Sequence, residues 1–83
     1  MISCENYDYI ELVCTYRYPI VLHLRSGKSV TGVGIDTSVN EQREECITLV
    51  ANSTHVMVPL NQIAVLEVTV DNPHINKIEF GRQ

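Results

Sequence analysis

Apolar and polar residues alternate along much of this chain with the period of a β-strand. Ile20, Leu22 and Leu24 stand on one parity and Val21, His23 and Arg25 on the other, the pattern of a strand with one face turned inward. Ser26-Gly27 signals a tight turn, and a second strand follows from Lys28. Its phase changes midway, with Val30 on one parity and Val33 and Ile35 on the other. Gly32 and Gly34 flank the change, as they would at a bulge or sharp bend. Residues 37–44 are polar and charged and predict a loop. Strands follow at 45–51 and 54–58, joined by Asn52-Ser53. Residues 59–62 break the pattern in the manner of a single 3₁₀ turn. A fifth strand spans 63–70, a turn 71–74, and residues 77–80 give a short last strand.

Only the opening run departs from this period. Residues 2–14 read as one short helix that carries three acids, Glu5, Asp8 and Glu11, and no base before Arg17. Asn6 is a favoured N-cap, and Asp8 then falls in the first turn, where the helix dipole favours negative charge. Helical spacing puts Tyr7, Ile10 and Cys14 on one stripe and Asp8 and Glu11, three apart, on the next. Tyr18 precedes Pro19 and so marks the boundary. The predicted helix covers about residues 6–16 and the strands about 19–80, in a single domain of 83 residues. One helix followed by five or six short strands, with the second strongly bent, predicts a mainly β fold: a small antiparallel barrel. An OB-fold places its helix between strands; the helix-first order fits an Sm-like barrel.

Composition narrows the function. Apolar residues make up 45% of the chain, enough for a packed core, and with no Trp and one Phe that core rests on Val, Ile and Leu. The net charge of −4 disfavours phosphate, and the six Lys and Arg are dispersed. No basic segment followed by an apolar run opens the chain and no stretch approaches a bilayer span, so a cytoplasmic protein without a membrane anchor is expected. Cys4, Cys14 and Cys46 form no framework spacing and are expected to be reduced, buried hydrophobes. With His23, His55 and His74 they are scattered singly, so neither a metal site nor a cofactor is expected. No partnered nucleophile or Gly-rich phosphate loop is present, and an enzyme is not expected.

One resemblance supports nucleic-acid binding. Leu22 to Gly32 followed by Ile35-Asp36 looks like the first Sm motif, and Val58 to Leu66 resembles the second, without the basic or Gly residues by which that family's second motif helps hold RNA bases. An Sm-like, oligomeric RNA-binding protein is therefore the alternative reading. Against it, four of the five aromatic residues fall in or just after the helix, away from the strand faces where bases would stack.

The helix carries a more specific pattern. Cys4, Tyr7, Asp8, Glu11, Leu12 and Cys14 resemble the opening of the Rho-binding antiterminator family, Rof, whose pattern runs Ile-x-Cys-acid-x-Tyr-Asp-x-aliphatic-Glu-Leu-x-Cys. That resemblance continues more weakly through the turn at Gly27 and the polar loop to the stretch near His74. It implies an Sm-like barrel with an added helix and no RNA binding of its own. It also implies inhibition of the hexameric transcription terminator Rho by occupation of its primary RNA-binding site. On this reading Tyr7, Asp8 and Glu11, with Glu5, contact Rho; Asn40, Glu41 and Arg43 in the polar loop form a second contact. Cys4, Ile10 and Cys14 hold the helix to the barrel, and the free protein is a monomer.

Overall fold

The computed structural model describes residues 4–80, with side chains from residue 6 onward. Helix α1 (Cys4–Thr15) precedes β1 (Pro19–Leu24), β2 (Ser29–Val39), β3 (Glu45–Ala51) and β4 (Thr54–Pro59). A 3₁₀ turn (Leu60–Gln62), β5 (Ile63–Val68) and β6 (Lys77–Glu79) follow among the described residues. The six strands form one antiparallel sheet in the order β4-β3-β2-β1-β5-β6. The mainly β, helix-first architecture is the one the sequence predicts. Among the described residues no ladder joins β4 to β6. The bent sheet is completed instead by side chains, with Val58 of β4 and Ile78 of β6 in the same core as Phe80.

The alternation in β1 places Ile20 and Leu22 at zero exposure and leaves His23 outside. The same core takes Ile47 and Leu49 from β3, and Ile63 and Leu66 from β5. The phase change in β2 is a bulge: the register with β3 shifts between Gly34 and Asp36, leaving Ile35 as the extra residue. That bulge seats the helix. A Cβ on Gly34 would lie 3.3 Å from Val13 Cγ1 and 3.7 Å from Cys14 Sγ, so the missing side chain lets α1 approach the strand closely.

Four boundaries differ from the expectation. Helix α1 starts at Cys4, so Asn6 lies inside its first turn instead of capping it. Strand β2 runs on to Val39, because Asp36 to Val39 pair with Glu45 to Thr48; pairing overrides the polar character of Thr37 and Ser38. The loop is thereby shortened to residues 40–44. Strand β5 stops at Val68, although Thr69 N–H still reaches the Pro19 carbonyl at 3.0 Å in the same register; Val68 N–H bonds Asn76 O. Strand β6 ends at Glu79, although Phe80 N–H still reaches Ala64 O at 2.9 Å.

Candidate functional site

The faces of α1 follow from about 100° of rotation per residue. Ile10, Val13 and Cys14 point into the core, and Tyr7 and Tyr9, half-buried on either side, pack against it. Asp8, Glu11 and Thr15 share the opposite, exposed face, with half-buried Leu12 beside them. Residues three apart on a helix have Cβ atoms about 5–6 Å apart, so Asp8 and Glu11 present their carboxylates as a pair. Glu5 lies in the first turn, with its side chain outside the described residues. Cys4 is helical, and its expected packing role also falls outside them. Ile10 and Cys14 do hold the helix down, at 0% and 7% exposure.

The helix ends in a Schellman arrangement. Tyr18 N–H bonds Val13 O at 3.1 Å and Arg17 N–H bonds Cys14 O at 3.2 Å, with Arg17 left-handed at φ 54°. Arg17 occupies a position that usually goes to Gly, and it lines a shallow depression between the helix and β2. Glu11, Cys14, Thr15, Ile35, Asp36 and Thr37 form the rest of its wall. Burial pushes the Cys14 thiol up to about 11; the negative charge of Asp36 adds to the rise and Arg17 opposes it. That thiol is protonated and unreactive at neutral pH. Asp36 thus extends the acidic face from the helix onto the bulged strand. Asp36 has no signal in the helical period, because only the seat of the helix on β2 brings residues 11 and 36 together.

The β2–β3 loop has a different internal logic. Asn40 Oδ1 accepts from Gln42 N–H and Glu44 N–H, each at 2.9 Å, and Arg43 N–H bonds Asn40 O at 3.0 Å. Its Nδ2 donates to Glu44 Oε1 at 3.0 Å, while Asn61 Nδ2 donates to Glu44 Oε2 at 3.1 Å. Asn40 therefore shapes the loop from within, whereas Glu41 and Arg43 are exposed at its tip. From Thr37, at the wall of the depression, β2 extends three residues to the loop, about 10 Å.

The bonds from Asn40 and then Asn61 hold the Glu44 carboxyl below its ordinary 4.5. A lowered folded value means the loop gains this stabilisation in full above the ordinary glutamate range. The gain fades as pH falls through the folded value. In an NMR titration the Asn40 and Asn61 side-chain amides are expected to shift together with Glu44, at a midpoint below 4.5. A midpoint at or above that value would refute the network.

The other flank of the helix is aromatic. Tyr16 stacks on Tyr18 with centroids 5.5 Å apart and on His74 at 4.9 Å. Tyr9, seven residues before Tyr16 and so on the same flank, lines a second open depression with residues 72–77. Asn72 organises that segment: its Oδ1 accepts from His74 N–H and Ile75 N–H, and its Nδ2 donates to Val70 O and Ile75 O.

Among the described residues, basic side chains do not gather opposite these acids. Arg17, Arg25, Lys28, Arg43 and Lys77 sit at the helix end, the β1–β2 turn, the β2–β3 loop and β6. Arg25 Nε donates to Asn61 O, and Lys77 pairs with Glu79 at 3.3 Å. Among the described residues no three His, Cys, Asp or Glu side chains group closely enough to hold a metal ion. No described helix is long and apolar enough to cross a membrane.

Helix and sheet together define a small one-sheet β protein whose docked N-terminal helix turns a carboxylate face to solvent. The sequence pattern of the ROF family, described as modulators of Rho-dependent transcription termination, matches residues 1–80. The chain belongs to this family, a regulatory one whose partner protein is Rho. Its fold is similar to that of YaeO from Vibrio cholerae O395, described as bound to magnesium. The TM-score is 0.85 at 36% sequence identity, over 90% of this chain and 97% of that one. No curated protein matches the sequence.

Proposed function

We propose that this chain inhibits Rho-dependent termination by occupying the primary RNA-binding site of Rho and so keeping out the transcript. The observation that carries this reading is the exposed Asp8–Glu11 pair, held on a helix that is anchored by Ile10, Val13 and Cys14. A site that binds RNA presents positive charge, and fixed carboxylates with a neighbouring tyrosine offer it what the RNA backbone and bases offer. Anchoring matters, because a face already ordered before the encounter loses little conformational entropy on binding. Tyr7 borders the face, Asp36 extends it along β2, and Glu41 and Arg43 supply a second contact. The free chain is proposed to act as a cytoplasmic monomer that binds no RNA itself.

The test is competition. Affinity of purified Rho for pyrimidine-rich RNA is measured at rising concentrations of this protein. The apparent RNA dissociation constant is expected to climb in proportion to the added protein, and added salt to weaken the inhibition, since exposed charges are screened over about 8–10 Å. RNA affinity that stays constant while the protein is bound to Rho would rule out occupation of that site. Retention of RNA by this protein without Rho, together with a stable oligomer in sedimentation, would support the RNA-binding ring instead.

A further inference from the structure

The acidic helix is short, and twelve residues are marginal as an isolated helix in water. Its buried stripe fixes how close it lies to the sheet. Roll about its own axis decides whether Asp8 and Glu11 project together, and that needs restraint on both flanks. One flank faces the bulge of β2 through Glu11, Cys14 and Thr15. The other is held by aromatic rings: Tyr16 lies between Tyr18 and His74, with interplanar angles of 15° and 24°. Tyr16 is 54% exposed, so its place is not explained by core burial. His74 in turn is fixed by a backbone bond, its N–H to Asn72 Oδ1 at 2.9 Å.

We infer that the Tyr18–Tyr16–His74 stack is a clasp that positions the acidic face of α1. The segment after β5 is thereby part of the partner-binding machinery without touching the partner. Tyr16 and His74 are positioning residues: they act through Asp8 and Glu11. This rests on the proposed Rho-binding role of the helix. Stacked rings prefer offset geometry at centroid separations of about 4.5–7 Å, which both pairs meet. The stack crosses from the helix end to the 71–76 segment, so it ties two elements that the backbone joins only through the sheet.

The experiment compares Tyr16→Ala and His74→Ala with the stack-preserving Tyr16→Phe and His74→Phe. Each is measured for affinity to Rho and for amide hydrogen exchange along α1. His74→Ala, which loses one aromatic pair, is expected to bind about fivefold more weakly and Tyr16→Ala, which loses two, more weakly still, both with faster exchange in α1 alone. The Phe variants should stay within about twofold of the parent on the same scale. Weaker binding of Tyr16→Ala with unchanged exchange, and an unaffected His74→Ala, would make Tyr16 a direct contact and overturn the clasp. So would unchanged exchange and affinity in both Ala variants. His74 lies on an exposed segment, so its variants report even if a Tyr16 variant unfolds. If the parent protein fails to bind Rho, the proposed role of the helix falls, while exchange in α1 still decides whether the stack restrains it.

Discussion

Reversing charge at Asp8 and Glu11 together, as Asp8→Lys with Glu11→Lys, is expected to abolish binding to Rho while leaving the protein folded. Both side chains are exposed, and for neither does the helix depend on a buried contact. Lys is as good a helix former as Glu and better than Asp, so the local propensity of α1 is kept. At the partner surface the change is much larger than loss of two attractions, because each site goes from favourable to repulsive, and like charges brought together across an interface cost several kcal/mol. The expected loss is therefore at least about a hundredfold in affinity, with an unaltered melting temperature. Titration of Rho with the double variant is the measurement, with circular dichroism as the check on folding. Undiminished affinity would remove α1 from the interface and leave Glu41 and Arg43 of the loop as the candidate contact. Reversal at Asp36 alone should give a smaller loss, since it stands at the edge of the helix face and is already bonded to Thr37 N–H at 2.8 Å.

The second large effect concerns folding. Gly32 sits in β2 where a Cβ would collide with the Val50 carbonyl oxygen and stand 3.0 Å from Leu49 Cδ1. A backbone oxygen cannot rotate away as a side chain can, so the strands themselves must separate. Gly32→Ala is expected to remove about 3 kcal/mol, a large share of a total stability of about 4–12 kcal/mol for a chain of this length. Urea unfolding should show a lower midpoint at an unchanged slope. Gly34→Ala is the control. Its Cβ would meet only side-chain ends, Val13 Cγ1 at 3.3 Å and Ile20 Cδ1 at 3.4 Å, which can yield by small rotations. A Gly32 variant no less stable than the Gly34 variant would show that the close approach to β3 is not what demands a glycine.

Much of this architecture is written locally. The alternation of Ile20, Leu22 and Leu24, the glycines around the bend and the 3₁₀ turn after Pro59 each depend on residues a few positions apart, and each is legible. The end of β2 is not, because pairing with β3 decides it. The same division runs through the candidate site. The exposed pair Asp8–Glu11 and the buried Cys14 follow from helical period alone. Asp36 joins them only through the docking of α1 on the bulge. The bonds that Asn40 makes within its own loop have no local signal, since an exposed polar loop residue and one that bonds its own loop look alike in sequence. The contact of Tyr16 with His74 spans 58 positions and has no sequence signal.

The central place of β1 also sets an order of assembly. Its partner on one side, β2, follows after a short turn, whereas on the other side Ile20 meets Val68, forty-eight residues further on. Local closures are fast and distant ones slow, and sheets dominated by distant pairings fold in milliseconds to seconds. The close seat of α1 is on the bulge of β2, so the nearest strand contacts of the carboxylate face belong to the first hairpin. The segment that carries His74 arrives with the last strands. The charged surface is therefore seated by contacts near in sequence and fixed in orientation by a contact far from it.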